Sequence, residues 1–126
     1  MNRLVAALFL PALAGCTQDL QAIRPQDVLA QPAANEGKRV VIRGYLRYGT
    51  DARGLWQSKQ AYRSFTLEAP QACLTLFNAS RFAKQLHARD GSQVRLTARV
   101  QTIHLKPDEI ALGWCNDTGL MIEKVG

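Results

Sequence analysis

Gly37-Lys38-Arg39-Val40-Val41-Ile42-Arg43-Gly44-Tyr45-Leu46-Arg47-Tyr48 is the stretch on which the fold turns. Val40, Ile42, Gly44, Leu46 and Tyr48 fall on one side of it, and Arg39, Val41, Arg43, Tyr45 and Arg47 on the other. A period of two sustained from Lys38 to Tyr48 predicts a β-strand, because side chains alternate between the faces of a pleated strand and do not on a helix. The run is long for one strand. Gly44 in its middle is where a barrel strand can bend or bulge and so serve two parts of a sheet.

Before this strand, Pro25 stands where a helix can begin, and Gln26 to Ala30 supply one turn with Val28 and Leu29 inward before Pro32 stops it. Asn35-Glu36-Gly37 reads as a turn, and Thr17 to Ile23 as a polar, patternless tether. After the strand come a glycine-rich turn from Gly49 to Gly54, a short strand Leu55-Trp56-Gln57-Ser58, and a loop from Lys59 to Arg63 carrying Tyr62. Ser64 to Leu67 and Cys73 to Phe77 read as a third strand interrupted near Pro70. Ser80 is a candidate N-cap for a helix from Arg81 to Arg89, with Phe82 and Leu86 on its apolar face and Asp90-Gly91 closing it. Val94, Leu96, Ala98 and Val100 then alternate with Arg95, Thr97, Arg99 and Gln101. A turn at Lys106 to Glu109, an extended piece from Ile110 to Cys115, a turn at Asn116 to Gly119 and a last strand from Leu120 to Val125 complete the chain.

At the start, Met1-Asn2-Arg3 precedes the apolar run Leu4 to Leu10, followed by Pro11-Ala12-Leu13-Ala14-Gly15-Cys16. This is the layout of a secretory signal, and its uncharged run is well short of the roughly 20 residues a spanning helix needs. Leu13-Ala14-Gly15-Cys16 resembles the lipobox of bacterial lipoproteins. The resemblance implies removal of residues 1–15 and acylation of Cys16. Thr17, where enteric lipoproteins retained in the inner membrane carry aspartate, favours the periplasmic face of the outer membrane.

Once Cys16 is acylated, two cysteines remain, Cys73 and Cys115. In an oxidising exported compartment an even pair is expected to be bridged, and the alternative of a zinc site lacks the usual cysteine spacing. No cofactor is expected. Arg3 leaves with the signal, so sixteen basic residues become fifteen against ten acidic, a net charge of +5. That balance suits acidic proteins, anionic headgroups and polyanions without choosing among them.

Long bent strand, short strand, strand, helix, long strand, strand is the order of a five-stranded OB-like barrel with its helix between strands three and four, a mainly β fold. Gly37 to Leu46 also resembles the Gly-Lys-x-Val-x-Val-x-Gly-Tyr-Leu first strand of small exported OB-fold proteins. The expected organisation is a signal over residues 1–15, acylated Cys16 with tether and helical turn over 16–36, and the barrel over 37–126. A β-sandwich or another small barrel is the rival architecture, and a mixed α+β sheet comes third. In the OB arrangement the third and fifth strands are neighbours, which would let Cys73 and Cys115 meet.

The same arrangement pairs the first and fourth strands and sets Arg39, Arg43, Arg47, Arg95 and Arg99 outward on adjoining strands. This forms a candidate basic binding face for phosphate or carboxylate. The competing reading is a solvated face whose charges pair with Glu68, Glu109 and Glu123. Tyr48, Arg53 and Tyr62 are candidate loop ligand contacts, whereas Trp56, Phe77 and Trp114 are expected as core fillers. Tyr45, Tyr48, Trp56, Tyr62 and Phe65 among basic residues carry the pattern of nucleic-acid binders, but the compartment argues against that partner. His87 and His104 show no metal spacing, and no Gly-x-Ser-x-Gly element accompanies a serine, so no catalytic residue is assigned. Asn78-Ala79-Ser80 and Asn116-Asp117-Thr118 match the glycosylation sequon, and behind a bacterial lipobox they read as a helix start and a turn. The function expected is that of a non-enzymatic, membrane-anchored binding module for a protein, peptide or glycan, as an accessory subunit or immunity-type protein. The alternative is a structural envelope protein that contacts anionic membrane through its basic face.

Overall fold

The computed structural model describes residues 21–50, 52–64, 72–106, 108–109 and 114–126. Two short helices, α1 (Pro25–Ala30) and α2 (Pro32–Asn35), lead into strand β1 (Arg39–Tyr48). Then follow β2 (Arg53–Trp56), α3 (Lys59–Arg63), β3 (Cys73–Leu76), a 3₁₀ turn (Ala79–Phe82), α4 (Ala83–Arg89), β4 (Gln93–Thr102) and β5 (Thr118–Val125). The strands close into a barrel in the order β1-β2-β3-β5-β4, the OB-like arrangement expected from the element order.

β1 serves two neighbours. Arg39 to Tyr45 pair with β4, and Tyr45 to Tyr48 with β2. The handover falls beside Gly44, where a Cβ would lie 2.6 Å from the Trp56 carbonyl oxygen and 2.8 Å from Leu55 Cγ. Only glycine lets β2 close on the bend. β3 and β5 seal the barrel in parallel, Thr75 opposite Gly119 and Leu76 opposite Leu120.

The inward positions of the alternating strands make the core: Ile42, Leu46, Leu74, Leu96 and Leu120 are fully buried. Leu86 of α4 and Val28 of α1 are also fully buried in this cluster, so the helices plug the barrel rather than fold alone. Burial of Leu86 contributes about 2 kcal/mol, which tertiary packing supplies and a seven-residue helix could not.

Cys73 and Cys115 form a disulfide across a separation of 42 residues, with Cα atoms 6.4 Å apart. The buried Thr75 hydroxyl accepts from the Cys115 and Asn116 amides, both at 3.0 Å, and the Asn116 amide group donates to the Cys73 carbonyl at 2.9 Å. The segment before β5 is thereby fixed to β3.

Several local expectations need correction. Lys59–Arg63 is a helix, not a loop, because the Ser58 hydroxyl accepts from the Ala61 amide at 3.0 Å and caps it. The first helix ends at Ala30, ahead of Pro32 as expected, but Pro32 then begins a second short helix, α2, where its missing N–H costs nothing. The expected tether is already docked at Ile23, whose amide and carbonyl bond the Val41 carbonyl and Arg43 amide at 2.9 Å each. Ser80 caps no helix. Asn78 instead bonds both the amide and the carbonyl of Ile122, and so ties the 3₁₀ turn to β5. β2 begins two residues earlier than expected, and β5 takes in Thr118 and Gly119 from the expected turn. Residues 65–67 of the third strand's first part and 110–113 of the extended piece lie outside the described residues.

Candidate functional site

The outward faces of β1 and β4 carry cross-strand arginine pairs in register, Arg39 opposite Arg99 and Arg43 opposite Arg95. Like charges directly opposite on a sheet destabilise it, so each pair poses the same electrostatic problem. At Arg39 and Arg99 the fold solves it with one acid from β5. Glu123 receives Arg39 Nε at 2.7 Å and Arg99 Nε at 3.2 Å. The hydrogen bond from Arg39 holds the Glu123 carboxyl below the usual carboxylate range; slight desolvation opposes this, and the charges of Arg39 and Arg99 add to it.

Arg47 does not continue the strip. It lies beyond the β1–β4 pairing, opposite Gly54 of β2. Its Nε donates to Asp90 at 3.0 Å, and its guanidinium sits 4.6 Å from the Tyr62 ring centre. Burial disfavours the Arg47 charge, but the Asp90 hydrogen bond and charge, with Tyr62 and Tyr45 behind them, outweigh it and raise the pKa. The expected five-membered face is therefore divided, with Arg39, Arg47 and Arg99 bound to acids.

Arg43 and Arg95 are different. Both are exposed, and among the described residues neither forms an ion pair. They line an open cleft of about 400 Å³ together with Arg24, Arg89, Gln93, Val94 and Gly126. Arg89, at the end of α4, is held by two backbone oxygens, Nη1 to Gly126 and Nη2 to Gln93, each at 3.2 Å. Arg24 enters because Ile23 pairs beside Ile42 and delivers the next residue to the edge of β1. Beside Arg24, the Asp27 carboxylate receives the Arg24 backbone amide at 2.8 Å. Four guanidinium groups from four separate segments thus converge on one opening.

Tyr48, Arg53 and Tyr62 do not form one contact surface. Tyr48 is buried in the main core with its ring 4.7 Å from that of His87. Arg53 lies opposite it in register, its guanidinium 5.8 Å from the Tyr48 ring. Tyr62 sits on the other side of the sheet, edge-on to Trp56 at 4.9 Å and 6.0 Å from Tyr45. Trp56 is buried as expected, but with Tyr45 and Cys73 in a second cluster outside the barrel. With Tyr45, Tyr48 and Trp56 buried, those rings present no open face for base stacking. Phe77 and Trp114 are not core fillers. They are half-buried and stack edge-on at 4.8 Å beside the disulfide segment.

A second opening, of about 500 Å³, is lined by Pro32, Ala33, Glu36, Thr102, His104, Asp117 and Thr118. His104 Nδ1 lies 3.0 Å from Asp117 Oδ2, with both side chains more than half exposed. The Thr102 and Thr118 hydroxyls bond each other at 3.0 Å, so neither is directed at the imidazole as a nucleophile would be. No cluster of three metal-ligating side chains occurs among the described residues.

The chain matches no protein family, no curated protein and no solved structure, so the site is read from its own residues. Its class is shown by the fold alone: a mainly β protein built on a closed five-stranded OB-like barrel with one short helix between β3 and β4.

Proposed function

We propose that this chain is a non-enzymatic binding module, lipid-anchored in the cell envelope through Cys16. In this reading the Arg43–Arg95 cleft receives an anionic group of a protein, peptide or glycan partner. The observation that carries the proposal is the contrast between the two cross-strand pairs: Arg39 and Arg99 share Glu123, while Arg43 and Arg95 face each other with no acid paired to them among the described residues. A fold that has an acid available for one pair and leaves the next uncompensated supports an external counter-charge.

The anchor is supported by Leu13-Ala14-Gly15-Cys16, which lies outside the described residues. The Cys73–Cys115 disulfide is in keeping with an oxidising compartment. Among the described residues no helix is long and apolar enough to cross a membrane. The alternative, contact with anionic membrane through the whole basic face, has less to draw on once Arg39, Arg47 and Arg99 are engaged by acids.

Two double variants of the full chain remove the same charge from the same strands, Arg43→Gln with Arg95→Gln and Arg39→Gln with Arg99→Gln. Used as baits in envelope extract, the second retains the partner that wild type captures. The first loses it by about a hundredfold, since two charge-assisted hydrogen bonds contribute roughly 3 kcal/mol. Equal retention, or equal loss, by the two variants would sink the proposal.

A further inference from the structure

We infer that the cleft between Arg24, Arg43, Arg89 and Arg95 is built for a phosphomonoester, an inference that rests on the anion-binding reading above. A carboxylate is planar and is satisfied by one or two guanidinium forks. Here the donors come from four directions: the N-terminal segment, β1, the end of α4 and β4. That arrangement matches oxygens disposed around a tetrahedral centre better than two oxygens in a plane.

Charge points the same way. Four guanidinium groups, less the carboxylates of Asp27 beside Arg24 and of Gly126 in the lining, leave an excess of about two positive charges, and a phosphomonoester brings close to two negative charges near neutral pH. Two backbone oxygens, of Gln93 and Gly126, hold Arg89 in place, so part of the site is organised before a ligand arrives. An open cleft of about 400 Å³ admits a headgroup-sized ligand.

The ester can come from two sources, a lipid headgroup or a soluble phosphate compound. If Cys16 is acylated, Arg24 at the cleft lies eight positions after the anchor, a reach of at most about 28 Å. The site would then stay close to the headgroups of its own membrane.

The test is titration of the full chain, in detergent micelles, with inorganic phosphate and separately with acetate at matched ionic strength. It is followed through the Nε–Hε resonances of the arginine side chains. Phosphate is expected to shift Arg43, Arg89 and Arg95 saturably and to bind about tenfold tighter than acetate, leaving Arg39 and Arg99 unmoved. Arg43→Gln with Arg95→Gln should abolish the saturable response, and Arg39→Gln with Arg99→Gln should preserve it. Vesicles containing phosphatidic acid, compared with phosphatidylglycerol vesicles of equal surface charge, separate the sources. Preference for phosphatidic acid assigns the headgroup, and phosphate binding without that preference assigns a soluble ester. Acetate binding as tightly as phosphate at the cleft overturns the phosphomonoester inference and leaves the anion-binding reading standing. No saturable response to either anion overturns both, and that readout is made on wild type, independently of whether a variant folds.

Discussion

Replacing Cys73 and Cys115 together by serine lowers the unfolding free energy by about 4 kcal/mol, read as a fall of about 3 M in the urea midpoint. The size follows from the separation of 42 residues that the bridge closes, because the oxidised unfolded chain is denied that loop's freedom. The change also sets a hydroxyl where Cys73 is fully buried between Tyr45 and Trp56, which adds a desolvation cost. In a domain whose whole stability is about 5–15 kcal/mol, such a loss removes from roughly a quarter to four-fifths of it. Reductant added to wild type reproduces most of the effect. A midpoint that moves by less than about 1 M in the double variant would mean that the bridge does not constrain the chain as described.

The second large effect is expected at Gly119, where β5 crosses Thr75 of β3 in the pairing that closes the barrel. A Cβ there would run into the Thr75 carbonyl oxygen and lie 2.8 Å from the Phe77 ring. The first obstacle is backbone, which moves aside only if β3 and β5 part. Gly119→Ala is therefore expected to cost about 3 kcal/mol, a fall of about 15 °C in Tm. Gly49→Ala is the matched control, since a Cβ at Gly49 meets nothing within 4 Å. If both variants melt together, the parallel closure is wrong.

The barrel was legible because its alternating strands each bury one face, and that is the signal a period of two carries. β1 and β4 also bring their arginines outward as the alternation requires. Tyr45 breaks the pattern. It sits on the outward face of β1 yet is only 7 % exposed, because Trp56, Tyr62 and the cysteine bridge cover it from other parts of the chain. No local pattern reports a second cluster assembled over such distances. Helix α3 was missed for a related reason: it buries no residue completely, so it has no apolar period, and Ser58 was its only mark.

The division of the arginine strip was beyond sequence reading because the acids that decide it arrive from far along the chain. Glu123 lies 84 positions from Arg39, and Asp90 lies 43 from Arg47. Glu123 is a candidate counter-charge in the sequence, but nothing local distinguishes Arg39, which it reaches, from Arg43, with which it forms no ion pair. Arg24 and Arg89 carried no signal at all. One precedes a proline, and the other ends a short helix where any basic residue is favoured by the helix dipole. Only closure of the barrel sets them beside Arg43 and Arg95.

If the cleft is a binding site, it is occupied where the protein works. Arginine-selective dicarbonyl labelling of native envelope membranes, quantified site by site by mass spectrometry against the purified chain, measures this directly. Occupancy predicts that Arg43 and Arg95 react about tenfold more slowly in the membranes than in isolation, while Arg39 and Arg99 keep the same reactivity in both. If Arg43 and Arg95 react equally in the two settings, or all four are shielded alike, the Arg43–Arg95 cleft is not the binding site.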